Sequence, residues 1–296
     1  MKTALVCITV NGGFLLNEFI EHYYPICDSL IFVEGATQNW CKGLKLKSCN
    51  STDNTLDIIR KAIKKDKQNK IFLHTQNTPY LEKLEQINYG MGLVPDNTDF
   101  VIQVDDDEYI MYEDFEKIKQ LVTERNATYV EYKMINFFKS FFVVGRGGTS
   151  WAYEFPIPRW FKYHKGCKFT SHRPPTILNE QQINVKDIRP ILADELEKLG
   201  IFCRHYSYIE EKRVFEKLKY YDITFPNAHN IKNYYYNVWF KKFWQKWTPE
   251  NRIELEKIHS AHPTGLGAYT EPFKLKHPKV IEQFINNFKL KKHDIF

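Results

Sequence analysis

The 296-residue sequence contains no apolar run as long as a membrane-crossing helix requires, so a soluble or peripheral protein is expected. The opening apolar stretch, Met1 to Val10, runs straight into Asn11, Gly12 and Gly13, too short for a secretory leader. None of the six cysteines forms a Cys-x-x-Cys pair, and several sit inside apolar runs, where Cys behaves as a small hydrophobe. Only Cys41 and Cys49 share a loop in which a bridge could form. The chain therefore reads as reduced and cytoplasmic, with peripheral membrane contact as a lesser alternative. A full Gly-x-Gly-x-x-Gly is missing after the first apolar stretch, so a dinucleotide fold is not supported. Neither sign of charge dominates: 42 basic residues stand among 36 acidic ones, scattered rather than gathered in a stripe. That distribution argues against a nucleic-acid partner. Internal repeats and low-complexity segments are absent too, which excludes a solenoid.

What the chain does have is an apolar run, Phe100 to Val104, that breaks into Asp105, Asp106, Asp107 and Glu108. The run suits a fully buried strand. Acids at this density repel one another unless a cation or hydrogen bonds compensate them. A strand that delivers carboxylates at its C-terminal end places them in the crevice where open α/β sheets bind ligands. Carboxylate oxygens suit Mg²⁺ or Mn²⁺, which share their remaining positions with water and substrate phosphates. One reading is therefore a metal–diphosphate site. The other is a solvated acidic turn that caps the next helix.

The surrounding pattern alternates. Residues 3–10 predict a buried strand, 14–24 a helix stopped by Pro25, and 29–33 a second strand ending at Glu34. Residues 36–50 read as a long polar loop. A helix over 55–65 follows, started by Ser51, Thr52 and Asp53, with Leu56, Ile59 and Ile63 on one face. Then come a strand at 70–74, a helix at 81–93, the acid-bearing strand at 99–104 and a helix at 113–124. Such alternation implies an α/β, mostly parallel sheet flanked by helices. Residues 127–142 read as strands, 145–148 as a turn, and 149–208 as an irregular mixed β region. Helices are expected at 210–222, 230–247, 249–260 and 277–291.

With these elements in order, the chain resembles a nucleotide-sugar glycosyltransferase of the GT-A (Rossmann-like) fold, closest to family 2-like enzymes. Asn17 and Glu18 resemble the start of the family's first helix, and Glu34 stands where the family has an Asp or Glu. Ser51 to Thr55 resembles Ser-x-Asp-Gly-Thr, with Asn54 in place of Gly. Gln86 to Gly90 resembles Ala-Arg-Asn-x-Gly without its Arg. Asp105 to Glu108 resembles Asp-x-Asp-Glu. The likeness is strongest over residues 1–110 and continues more weakly through Arg159–Lys162, Lys168–His172 and Arg204–Tyr208. The block 36–50 has no counterpart in the usual pattern. The resemblance implies a nucleotide-sugar-binding half at 1–125, an acceptor-side mixed β region at 126–208 and a helical region at 209–296.

It also implies roles. Asp107 would be the direct ligand of Mn²⁺ or Mg²⁺, and Asp105 would hold the ribose, a metal-bound water or the metal itself. Asp106 would serve beside them, with Glu108 as an alternative. Thr9, Asn11, Glu34, Asp53 and Asn88 would line the donor pocket, although Asp53 is equally placed to be an ordinary helix cap. His205 resembles a late-sequence metal ligand. Arg173, after His172, stands where relatives often carry a Glu, so no base transfers there, but its planar fork suits phosphate. An inverting reaction needs a general base near the acceptor hydroxyl. The candidates are Glu154, set among aromatics, and Asp187, with Asp194 a further alternative.

The expected activity is metal-dependent transfer of a hexosyl or pentosyl group from a nucleotide-diphosphate sugar to a glycan or lipid-linked acceptor. Two alternatives stand beside it. A nucleotidyltransferase or phosphohydrolase would need a second acid group, and a non-catalytic nucleic-acid-binding module would need a basic stripe. The aromatic, lysine-bearing segment 233–247 suits packing over a core more than lying on a membrane.

Overall fold

Every residue of the first strand, β1 (Thr3–Thr9), is buried in the computed structural model, which describes residues 1–146, 156–264 and 267–290. A strand buried along its whole length needs cover on both faces. Helix α1 (Leu16–Tyr23) follows, turning Leu16, Phe19, Ile20 and Tyr23 inward, and leads to β2 (Ser29–Glu34), also buried throughout. The next segment differs from the expected polar loop, because it contains a short helix, α2 (Gln38–Leu44). Helix α3 (Thr55–Lys65) has the expected bounds and buries Thr55, Ile58 and Ile59. Next come β3 (Ile71–Thr75), α4 (Lys83–Met91) and β4 (Phe100–Gln103). The four strands lie in the order β3-β2-β1-β4, and every pairing among them is parallel.

After the acids come β5 (Glu108–Ile110), α5 (Tyr112–Arg125), β6 (Tyr129–Phe138), β7 (Val143–Arg146) and β8 (Pro156–Lys162). Strand β8 pairs antiparallel with both β4 and β6 and makes the sheet mixed. Shorter pieces follow: β9 (Phe169–His172), β10 (Pro175–Ile177), a 3-10 turn at Val185–Asp187, β11 (Pro190–Ile191) and α6 (Ala193–Lys198). This bears out the expected α/β class, a Rossmann-like sheet flanked by helices. Gly145 and Arg146, expected in a turn, instead end β7.

The chain divides into two units. Met1–Gln38, Ser48–Lys133 and Pro156–Phe202 form the first, and Asn39–Lys47, Met134–Phe155 and Cys203–Phe296 form the second. In the first unit, one core joins Val6, Ile31 and Val33 of the sheet to Ile87 and Met91 of α4. The helix can lie this close because of Gly90. A Cβ there would stand 2.6 Å from Val6 Cγ1 and 2.9 Å from Val33 Cγ2.

The second unit holds β12 (Cys203–Tyr208), α7 (Glu211–Thr224), a π-helix at Tyr235–Trp244, α8 (Arg252–Glu256), β13 (Tyr269–Pro272) and α9 (Lys279–Asn287). The expected long helix over 230–247 is thus of π type, with Gln245 N–H donating to the Phe240 carbonyl five residues back at 2.8 Å. The helix expected over 249–260 contracts to α8. Trp239, Phe240, Phe243 and Trp244 are buried together with Val214 and Leu218 of α7. The aromatic face is therefore packed inward, as expected, while Lys241 and Lys242 stay exposed. No disulfide forms among the described residues, and the Cys49 thiol donates to the Asn77 carbonyl at 2.7 Å.

Candidate active site

The parallel strands of the first unit all end on one edge, and side chains at those ends tie the following loops together. Glu34, fully buried at the end of β2, accepts from Ser51 N–H at 2.5 Å through Oε1. Its Oε2 accepts from Asn50 Nδ2 at 3.1 Å and from Thr75 Oγ1, at the end of β3, at 2.8 Å. Asn11, just past β1, donates its backbone N–H to Ser51 Oγ at 2.9 Å and accepts Thr52 N–H at 2.8 Å on its side chain. Its φ of 51° lies in the left-handed region that Asn tolerates. Asp53 accepts from Gly13 N–H at 3.0 Å with one oxygen and from Thr55 N–H at 3.0 Å with the other. Asp53 thus ties the first residue of α3 to the glycine turn.

The acidic turn joins this assembly through Asp106, whose Oδ2 accepts from Thr9 Oγ1. Both residues are buried. Gly12 lies so close that a Cβ on it would stand 1.9 Å from Asp106 Oδ2. Glu108 is engaged by Arg159 of β8, whose Nε and Nη2 donate to its two carboxylate oxygens at 2.6 and 2.5 Å. Burial raises the Glu108 carboxyl above its usual range, and the Arg159 fork opposes that rise. Glu108 Oε2 also accepts the Asp105 backbone N–H at 3.2 Å, which fixes the turn. Asp107 is buried, and its carboxylate comes within 4.8 Å of that of Glu108. Burial opposes ionisation of Asp105, but Lys83 and Arg159 outweigh it and hold its carboxyl below the usual carboxylate range.

Helix α4 fastens the neighbouring strands. Gln86 Nε2 donates to the carbonyls of Val33 at 3.1 Å and Gly35 at 3.0 Å. Asn88 grips Phe169 of β9 from both sides, accepting its N–H at 2.9 Å and donating to its carbonyl at 2.9 Å. At the far end of β9, His172 has its pKa lowered to about 3, by burial first and by Lys83 second. Its Nδ1 is shut off from solvent with no hydrogen-bond partner among the described residues.

The structure therefore gathers Thr9, Asn11, Glu34, Asp53, Asp105, Asp106 and Asp107 on one sheet edge. It places Asn88 nearby as a clamp on β9. Asp187 is exposed, on the 3-10 turn, and Asp194 is exposed and paired with Lys133 at 2.9 Å. Glu154 lies outside the described residues. His205 belongs to the second unit, buried on β12, with its Nδ1 2.6 Å from Asn136 Oδ1. Sequence reasoning missed Asn50 and Lys83. Asn50 carries no motif weight, and a lone Lys at a helix start is common.

No family model matches the chain, and no curated protein matches it. Among solved structures, the chain is similar to S. aureus TarS at 19% identity and TM-score 0.37, over 50% of this chain. It spans only 23% of that TarS chain. A shorter TarS structure matches at 13% identity and TM-score 0.43, over 87% of this chain and 78% of that one. The 4-diphosphocytidyl-2C-methyl-D-erythritol synthase of Anaerococcus prevotii matches at 14% identity and TM-score 0.33, over 54% of this chain and 71% of that one.

Proposed function

We propose that this protein is a divalent-metal-dependent glycosyltransferase. It would move a hexosyl or pentosyl group from a nucleotide-diphosphate sugar to a glycan or lipid-linked acceptor, with inversion. The observation that carries this reading is the convergence of Thr9, Asn11, Glu34 and Asp53 with the Asp105–Glu108 turn on the C-terminal edge of a parallel sheet. That edge is where α/β sheets bind nucleotide-sized ligands.

The donor set suits a hard cation, since it offers carboxylate oxygens on a turn held rigid from two sides. The proposed ligands are Asp107, buried, and Asp105, half-buried, both acids of this turn. His205 is proposed as a further ligand. When bound, the ion supplies Lewis-acid neutralisation of the departing diphosphate. Glu34 is proposed to orient the nucleoside through the Asn50–Asp53 loop, whose Ser51 N–H it holds, and Asp53 through the glycine turn, whose Gly13 N–H it holds. Glu154 and Asp187 are the proposed bases.

The test is incubation with Mn²⁺ and a panel of nucleotide sugars, following release of nucleoside diphosphate. One donor should give Mn²⁺-dependent release that Asp107→Asn abolishes. Absence of release with every donor, joined to absence of thermal stabilisation by any of them, would reject the reading.

A further inference from the structure

Glu34 ends β2 fully buried, with both carboxylate oxygens already engaged by the protein. A side chain so enclosed does not touch a ligand; it holds something that does. What it holds is Asn50, the half-buried last residue of the segment 36–50. Asn50 Nδ2 donates to Glu34 Oε2 at 3.1 Å, to Thr75 Oγ1 at 2.8 Å and to the Gln76 carbonyl at 3.3 Å. A primary amide has two N–H hydrogens, so these acceptors use its whole donor capacity. Turning the amide over would set its oxygen against a carboxylate and a carbonyl, so the network fixes which way it faces. Its Oδ1, on the other arm of the amide, accepts no hydrogen bond from the described residues.

The backbone on either side is pinned. Ala36 N–H donates to the Cys49 carbonyl at 2.6 Å, and the Cys49 thiol donates to the Asn77 carbonyl at 2.7 Å. Beyond Asn50, Ser51 N–H is held by Glu34 and Thr52 N–H by Asn11. A surface side chain ordinarily loses rotamer freedom when it meets a ligand, which weakens binding. Asn50 has lost that freedom already. It stands between the ends of β2 and β3, on the edge where α/β sheets take their ligands.

We infer that Asn50 is the residue that reads the nucleoside, its Oδ1 accepting a hydrogen bond from a base N–H or a ribose hydroxyl of the nucleotide ligand. The inference rests on the proposed function. An amide oxygen offers nothing to a diphosphate, whose oxygens are themselves acceptors. The donors it can meet on a nucleoside diphosphate therefore lie on the base and the ribose.

The experiment is calorimetric titration in Mn²⁺ buffer on wild type, Asn50→Ala and Thr75→Val. UDP, GDP, CDP and ADP are compared first. The tightest is then compared with its 2′-deoxy form and with a form whose base N–H is replaced by N-methyl. In wild type at least one modified nucleotide should bind about tenfold more weakly than the parent, the scale of one hydrogen bond left unmade. In Asn50→Ala that nucleotide and its parent should bind alike. Thr75→Val loosens the same cluster but keeps the Asn50 oxygen, so it should keep the wild-type discrimination. The modification that is felt identifies base or ribose as the donor. Wild type indifferent to both modifications, or discrimination that survives in Asn50→Ala, would overturn the inference while leaving the glycosyltransferase reading standing. Equal loss of discrimination in Thr75→Val would also overturn it, since that reports a disturbed loop. Failure of the wild type to bind any nucleoside diphosphate would sink the underlying reading, and the inference with it.

Discussion

Arg159 and Glu108 face each other as a buried pair joined by two hydrogen bonds, with Nε–Oε2 at 2.6 Å and Nη2–Oε1 at 2.5 Å. The free Nη1 hydrogens go to the Pro158 carbonyl at 2.9 Å and to Gln103 Oε1 at 3.3 Å. This pair braces β8 against the turn that carries the acids. Removal of one partner leaves the other charge buried alone, at a cost of about 3–5 kcal/mol. Arg159→Met should therefore lower urea stability by that amount. The double variant Arg159→Met, Glu108→Met should recover much of it. A single variant within about 1 kcal/mol of wild type would contradict the bracing role.

Gly90 makes a different demand. A methyl group there would press on Val6 and Val33 at 2.6 and 2.9 Å, both branched side chains in the buried sheet. Ala is the better helix former by about 1 kcal/mol, so propensity alone predicts that Gly90→Ala stabilises. Overpacking predicts a loss of about 1–3 kcal/mol. The contact distances favour the loss. Chemical denaturation of Gly90→Ala decides the sign, and a stabilised variant would show that α4 can retreat from the sheet.

These contacts mark what was legible in the sequence. The strand-and-helix alternation through residue 125 could be read because buried parallel strands are continuous apolar runs and α3 has a clear apolar face. The acids could be placed at a strand end for the same reason. Helix α2 could not. It is short, contains Gly43 and buries no residue of its own. A Cβ on Gly43 would come 2.7 Å from the Lys219 carbonyl of α7, so the helix follows tertiary packing, not local propensity. The π-helix escaped because an aromatic run this dense marks a helix without fixing which hydrogen-bond spacing it adopts. The partners of Glu34, Asn11 and Asp53 were hidden as well. Their motif positions suggested ligand contact, and sequence spacing gives no sign that each also holds the backbone of another loop.

Gly12 bears on activity as well as on stability. An Ala at this position would put its methyl group 1.9 Å from Asp106 Oδ2 and 2.5 Å from Thr9 Oγ1. The Asp106 carboxylate would have to swing away, breaking the Thr9 bond that fixes the turn. A displacement of about 1 Å in a positioning group costs on the order of a hundredfold in rate. Gly12→Ala should lower Mn²⁺-dependent diphosphate release on that scale, and lower the unfolding midpoint too, because a buried hydrogen bond is broken. Full activity in a folded Gly12→Ala protein would show that Asp106 need not be held in place.

His277 sets an acid limit on the second unit. It is buried, with Nδ1 2.8 Å from Tyr206 Oη, and packs against Phe137 and Phe273. Burial, reinforced by the Arg204 charge, lowers its pKa from 6.5 to about 4. In the unfolded chain the imidazole takes its proton near the ordinary value, so between about pH 6.5 and 4 the unfolded state binds more protons. Stability must then fall as pH drops through that window and level off below it. At pH 5 the loss from this one group is about 2 kcal/mol. His262, lowered to about 3 by burial and by the charges of His205 and Lys217, acts in the same direction. Urea titrations at pH 7, 6 and 5, read by a probe in the second unit such as tryptophan fluorescence, measure the slope. Replacing His277 with Gln removes the titrating group and should flatten that slope, whatever the variant does to stability at pH 7. An unchanged slope in His277→Gln would place the acid sensitivity elsewhere.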